Sequence, residues 1–144
     1  MTRAKVLRAV AGAVFACTVA ALAAGCESKA KVVPVEGVLK IAGKPAANVS
    51  VQLLPDHLKG NSGPTSYGTT DAEGKFRLKA HDGQDGAVPG PHVVILADLD
   101  EERPAQGVAP KRAPRLDSKY TTASGGLKTE VPVAGGSVTL EVPR

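Results

Sequence analysis

Tryptophan is absent from these 144 residues, and only four aromatic side chains occur: Phe15, Tyr67, Phe76 and Tyr120. A sugar-stacking platform needs exposed aromatic area, so glycan binding would rest on Tyr67 and Tyr120 with little support. A core built here must use Val, Leu, Ile and Ala, which suits strands. Acidic residues are missing before Glu27. Three of the 18 basic residues (Arg3, Lys5 and Arg8) lie in that same stretch, so fifteen face the 14 acidic ones beyond it. The excess of positive charge is thus a feature of the amino terminus and not a nucleic-acid footprint. The chain has no Gly-x-Ser-x-Gly elbow, no Walker loop and no Gly-x-Gly-x-x-Gly turn. The residues point to no enzyme.

What is present begins with targeting. A short positive region ending at Arg8 precedes Ala9–Ala24, a stretch without charge, and Leu22-Ala23-Ala24-Gly25-Cys26 closes it. Those three parts in that order make a secretory signal. The apolar stretch is shorter than the roughly 20 residues a spanning helix needs. Its ending resembles the lipobox of bacterial lipoproteins, in which small residues admit a peptidase and the cysteine thiol accepts a diacylglycerol. The resemblance implies cleavage between Gly25 and Cys26, with a diacylglycerol and then an N-acyl chain such as palmitate on Cys26. Removal of the leader takes Cys17 with it, so Cys26 is left without an intramolecular disulfide partner. Two or more acyl chains anchor lastingly where one does not. Glu27, where the best-known sorting system reads Asp as inner-membrane retention, favours the outer membrane. The organisation expected is a signal peptide over 1–25, a lipidated tether over 26–33 and one domain over 34–144.

That domain reads as strands. Val35, Gly37, Leu39 and Ile41 alternate with polar positions, as do Val49, Val51 and Leu53. Asp71-Ala72-Glu73-Gly74 stands between two β-prone runs, Tyr67–Thr70 and Lys75–Leu78, and predicts a hairpin around which the others pack. His92–Ala97 is apolar without interruption apart from its first residue, which predicts a central strand covered on both faces, or a buried stretch of sheet. Leu127–Val133 and Val138–Val142 alternate again, around Ala134-Gly135-Gly136. Seven short strands with turn signals between them predict an all-β, seven-stranded antiparallel β-sandwich.

Val35-Glu36-Gly37-Val38-Leu39, the turn Gly43-Lys44-Pro45, the strand Val49–Leu53 and Thr70-Asp71-Ala72-Glu73-Gly74-Lys75-Phe76 follow one another in an order that resembles the carboxypeptidase regulatory-like, transthyretin-like domain. Gly90-Pro91-His92-Val93-Val94-Ile95 is similar to a later element of that family. Lys119-Tyr120 and Thr122–Leu127 resemble a segment of the bacterial lipoproteins that carry it, with one extra Gly. The resemblance implies a transthyretin-like fold whose usual role is to support other functions. One transthyretin-like branch hydrolyses 5-hydroxyisourate, but it ends in Tyr-Arg-Gly-Ser where this chain reads Leu140-Glu141-Val142-Pro143-Arg144.

The candidate sites are few. His57, His81 and His92 lack metal-ligand spacing, and a satisfied surface histidine is the expectation for each, with His92 the one to examine for a pH effect. The acidic groups Asp98-Asp100-Glu101-Glu102 and Asp82-Asp85 lack the order of a calcium loop, so no metal and no cofactor beyond the lipid is expected. Leu99–Gly126 reads as a long solvated loop, in which Tyr120 is the expected core plug. Its basic cluster Lys111, Arg112, Arg115 and Lys119 is the candidate surface for an envelope protein or for peptidoglycan acids, a contact that salt would weaken. The whole predicts a lipid-anchored envelope module that meets the bilayer and not nucleic acid.

Overall fold

The computed structural model describes residues 30–101, 113–124 and 126–143. It is all-β, with nine strands among the described residues: β1 (Val35–Ile41), β2 (Lys44–Pro45), β3 (Val49–Pro55), β4 (Ser66–Thr69), β5 (Lys75–Arg77), β6 (Lys79–Ala80), β7 (Gly90–Asp98), β8 (Leu127–Val131) and β9 (Gly136–Val142). Two short 3-10 turns, His57–Lys59 and Ser118–Tyr120, are the helical content. The strands form two open sheets. One runs β6-β4-β3-β7-β8; in the other, β1 is flanked by β2 and β5 along one edge and by β9 along the other.

Alternation decides which side chains meet. Val49, Val51 and Leu53 of β3 and Val94 and Leu96 of β7 are fully buried, and Val35, Leu39, Phe76, Val138 and Leu140 join them from the second sheet in one core. Each such side chain contributes about 1.5–3 kcal/mol on burial, so the period-2 pattern sets both register and stability. Val33 belongs to this core as well. It exchanges backbone bonds with Ala87 at 2.9 and 3.0 Å and is 6% exposed.

Several expectations are corrected. The seven strands become nine, because β2 and β6, two residues each, are too short to leave a period in the sequence. The sheets are not wholly antiparallel, since β9 lies parallel to β1 from Val35↔Gly136 to Ile41↔Val142. That direction follows from the path: Pro132–Gly135 carries the chain from one sheet to the other, and β9 enters beside the start of β1. The third correction concerns the turn at Asp71.

Asp71–Gly74 is a turn, as expected, but its arms do not pair. β4 bonds to β3 and β6, whereas β5 bonds to β1, so the turn carries the chain between sheets. Asp71 builds it by accepting from the Glu73 and Lys75 amides at 3.0 and 2.8 Å. Gly74 sits at φ +72°, where a Cβ would lie 2.7 Å from the Leu39 carbonyl oxygen.

β7 departs from expectation on one face only. His92, Val94 and Leu96 are buried inward, while Val93 and Ile95 are half-buried on the outer face and Ala97 is exposed. No described element lies over that face; Val93 stands opposite Leu54 of β3 in the register. Part of the expected loop 99–126 is also packed: among residues 113–124, Leu116 and Tyr120 are each only 4% exposed and enter the core.

Candidate functional site

The candidate partner surface is the natural place to begin. Cys26, Gly25, Lys111 and Arg112 lie outside the described residues, and Arg115 and Lys119 are described. β7 ends at Asp98, whose carboxylate takes a forked pair of bonds from Arg115: Nε at 2.5 Å to Oδ2 and Nη2 to Oδ1. The same Nη2 reaches Asp100 Oδ2 at 3.3 Å and the Ala47 carbonyl at 3.4 Å. Asn48 Nδ2 donates to the other oxygen of Asp100, and Leu99 N to the Asn48 carbonyl at 3.0 Å. The Asp98 side chain is 4% exposed and that of Arg115 is 41%. The bond from Arg115 holds the Asp98 carboxyl below its usual range, and Asp98 in turn raises the guanidinium.

The clamp ties residues 113–124 to the end of β7. β8 pairs with β7 only from Gly90 to Val94, so among the described residues no strand lies along that edge at the end of β7. The Ser118–Tyr120 turn packs against β7 instead. Asp117 caps it by accepting from Lys119 N at 3.1 Å. Lys119 is also engaged within the chain, 3.7 Å from Asp117 and 4.8 Å above the Tyr120 ring. The structure therefore brings Arg115 to two of the acidic residues weighed for calcium. Sequence reading missed the pairing because the partners lie 15 and 17 residues apart across a loop. Opposite charges at the two ends of that loop were the available signal.

His92 occupies the other end of β7 and, contrary to the surface position expected of it, is 1% exposed because its strand position alternates inward with Val94 and Leu96. Its Nδ1–H donates to the Gly90 carbonyl at 2.9 Å, which leaves Nε2 buried with no partner among the described residues. Burial pushes the imidazole below its ordinary value of 6.5, and the Gly90 bond opposes that only in part. The unfolded chain binds the proton more readily, so the contribution of His92 to stability is complete above pH 6.5 and is lost as pH falls toward the folded value. Urea midpoints should therefore drop between pH 7.5 and pH 5, and His92→Leu should flatten that slope. A wild-type midpoint constant over this range would contradict the assignment.

Of the remaining histidines, His57 is exposed, and His81 Nδ1 shares a hydrogen bond with the Tyr67 hydroxyl, with the rings edge-on at 6.1 Å between centroids. Tyr120 is a core plug, so of the two tyrosines only Tyr67 has area for stacking. Among the described residues, no three His, Cys, Asp or Glu side chains are placed to hold a metal ion. No helix among them is long and apolar enough to cross a membrane. No protein-family model matches the chain, and no curated protein or solved structure matches it.

Proposed function

We propose that this chain is a lipid-anchored protein of the bacterial cell envelope, whose strands form a β-sandwich that serves as a non-enzymatic interaction or structural module. The observation that carries it is Leu22-Ala23-Ala24-Gly25-Cys26 at the end of an uncharged stretch. A diacylglycerol and an N-acyl chain on Cys26 hold the chain at the bilayer, and Glu27 favours the outer membrane. Ala30 lies four residue steps beyond Cys26, a reach of about 14 Å when extended, so the body stands close to its membrane.

The finer fold is of the carboxypeptidase regulatory-like, transthyretin-like type. Supporting it are two sheets with a common core and the placement of the motif residues: Gly37 opposite Phe76 in one sheet, Pro45 in β2 of that sheet, and Asp71 in the turn that crosses to it. In this reading the clamp end, with Arg115, faces away from the membrane and toward a partner. Cys26→Ser is the test. The expected result is transfer of nearly all the protein from the membrane pellet to the soluble fraction. Retention in the membrane would overturn the reading.

A further inference from the structure

The strands give the molecule two distinct ends. Ala30–Pro34, the loop 56–65, the connection 81–89 and the turn 132–135 gather where β1 begins. A Cβ on Gly63 would lie 3.2 Å from Ala30, and Gly136 N donates to the Pro34 carbonyl at 3.0 Å, so the incoming chain touches both neighbouring loops. The Arg115 clamp, the Asp71 turn and Val142 lie at the opposite end.

Among the described residues, three large apolar side chains stand in solvent: Leu58 at 97%, Val133 at 78% and Leu99 at 53%. The first two sit at the end where the chain enters, and Leu99 sits at the other. A single exposed apolar residue means nothing. These two are different, because each is held out by a braced turn. Asp56, whose side chain is 4% exposed, accepts from Leu58 N at 3.2 Å and from Lys128 Nζ at 3.3 Å. Asn61 fastens the same loop to the Pro91 carbonyl at 2.9 Å, and Gly60 closes it at φ +76°. Val133 rides on a turn closed by Gly135 N to the Pro132 carbonyl at 2.9 Å. A buried carboxylate that fixes a 3-10 turn with a fully exposed leucine at its centre gains nothing for the core.

We propose that Leu58 and Val133 seat in the interfacial layer of the bilayer that holds Cys26, so that the body stands with this end down. The inference rests on the lipid-anchored reading and adds an orientation to it. The tether supplies the proximity: Ala30 is within about 14 Å of the lipidated residue, and apolar side chains at an interface reach roughly 5–10 Å below the headgroups. Lys31 and Lys59 share this end with Asp82 and Asp85, so charge is balanced and the contact is apolar. Salt should leave it unchanged.

The absence of tryptophan makes the test clean. Full-length lipidated chains carrying Leu58→Trp, Val133→Trp or Leu99→Trp are placed in phosphatidylethanolamine–phosphatidylglycerol liposomes with and without brominated acyl chains. The indole at 58 and at 133 should be quenched severalfold by brominated lipid and shielded from aqueous acrylamide, and that at 99 should show the reverse. Because tryptophan itself favours interfaces, a Leu58→Asp, Val133→Asp double variant adds an independent readout: trypsin cleavage at Lys31 on the liposome should become severalfold faster. If all three indoles behave like the one at 99 while the chains co-float with the liposomes, or if the double variant is cut at the wild-type rate, the seating is wrong and the anchor stands. Chains that do not co-float at all overturn the anchor and the seating together.

Discussion

Gly68→Ala is expected to lower stability by about 2–4 kcal/mol, more than most single methyl groups can. Residue 68 lies in β4 where it passes β5 of the other sheet, and a Cβ there would stand 2.3 Å from the Arg77 carbonyl oxygen and 3.1 Å from its carbon. Those are backbone atoms and cannot swing aside. Gly68 is not at positive φ, so the whole penalty is steric and either strand must move to relieve it. Gly43→Ala is the matched control. It sits at φ +76° with nothing within 4 Å, so only the backbone term, about 1 kcal/mol, applies. Urea unfolding with an unchanged m-value measures both. A Gly68→Ala midpoint equal to that of Gly43→Ala would show that the sheets do not approach as described.

Arg115→Ala should lower stability by about 1–3 kcal/mol, the range for a charged hydrogen bond whose cation is partly in water. The loss comes from the carboxylate left behind, since Asp98 is 4% exposed and its forked partner would be gone. Arg115→Lys keeps the charge without the fork and should fall between. The pH dependence carries a sign. Arg115 depresses the folded pKa of Asp98, so its stabilisation is present above the unfolded value of 3.8 and is lost as pH falls through the folded one. The variant should lose that acid limb and be less stable at neutral pH, while the two proteins converge in acid. Amide exchange adds the location: protection around Leu116 and Tyr120 should fall in the variant before the core strands open. Equal protection in both would show that the segment is held by its apolar contacts alone.

These two sites also mark how far the residues could be read in advance. Val49, Val51 and Leu53 announced their strand because a half-buried sheet imposes a period of two on its own neighbours. Asp71 and Gly74 announced a turn for the same local reason. Nothing in four residues says which sheets the flanking arms will join, so an inter-sheet crossing read as a hairpin. Gly68, a glycine inside a β-prone run, was the hint that another backbone passes close by. Tyr120 was legible as a plug because a large amphipathic side chain in a polar loop needs somewhere dry. Its neighbour Leu116, and the Arg115 bonds that set both in place, depend on contacts the local pattern does not encode.

The parallel ladder between β1 and β9 has a consequence for the life of the chain before it folds. Val35 finds its neighbour at Gly136, so one flank of β1 stays bare until the segment Gly136–Val142 has emerged. Long-range pairing of this kind is slow to form, and an unpaired strand flank recruits other chains. A nascent form that still lacks this segment is therefore sticky along β1, and a holding chaperone has a seven-residue strip to shield until β9 is made.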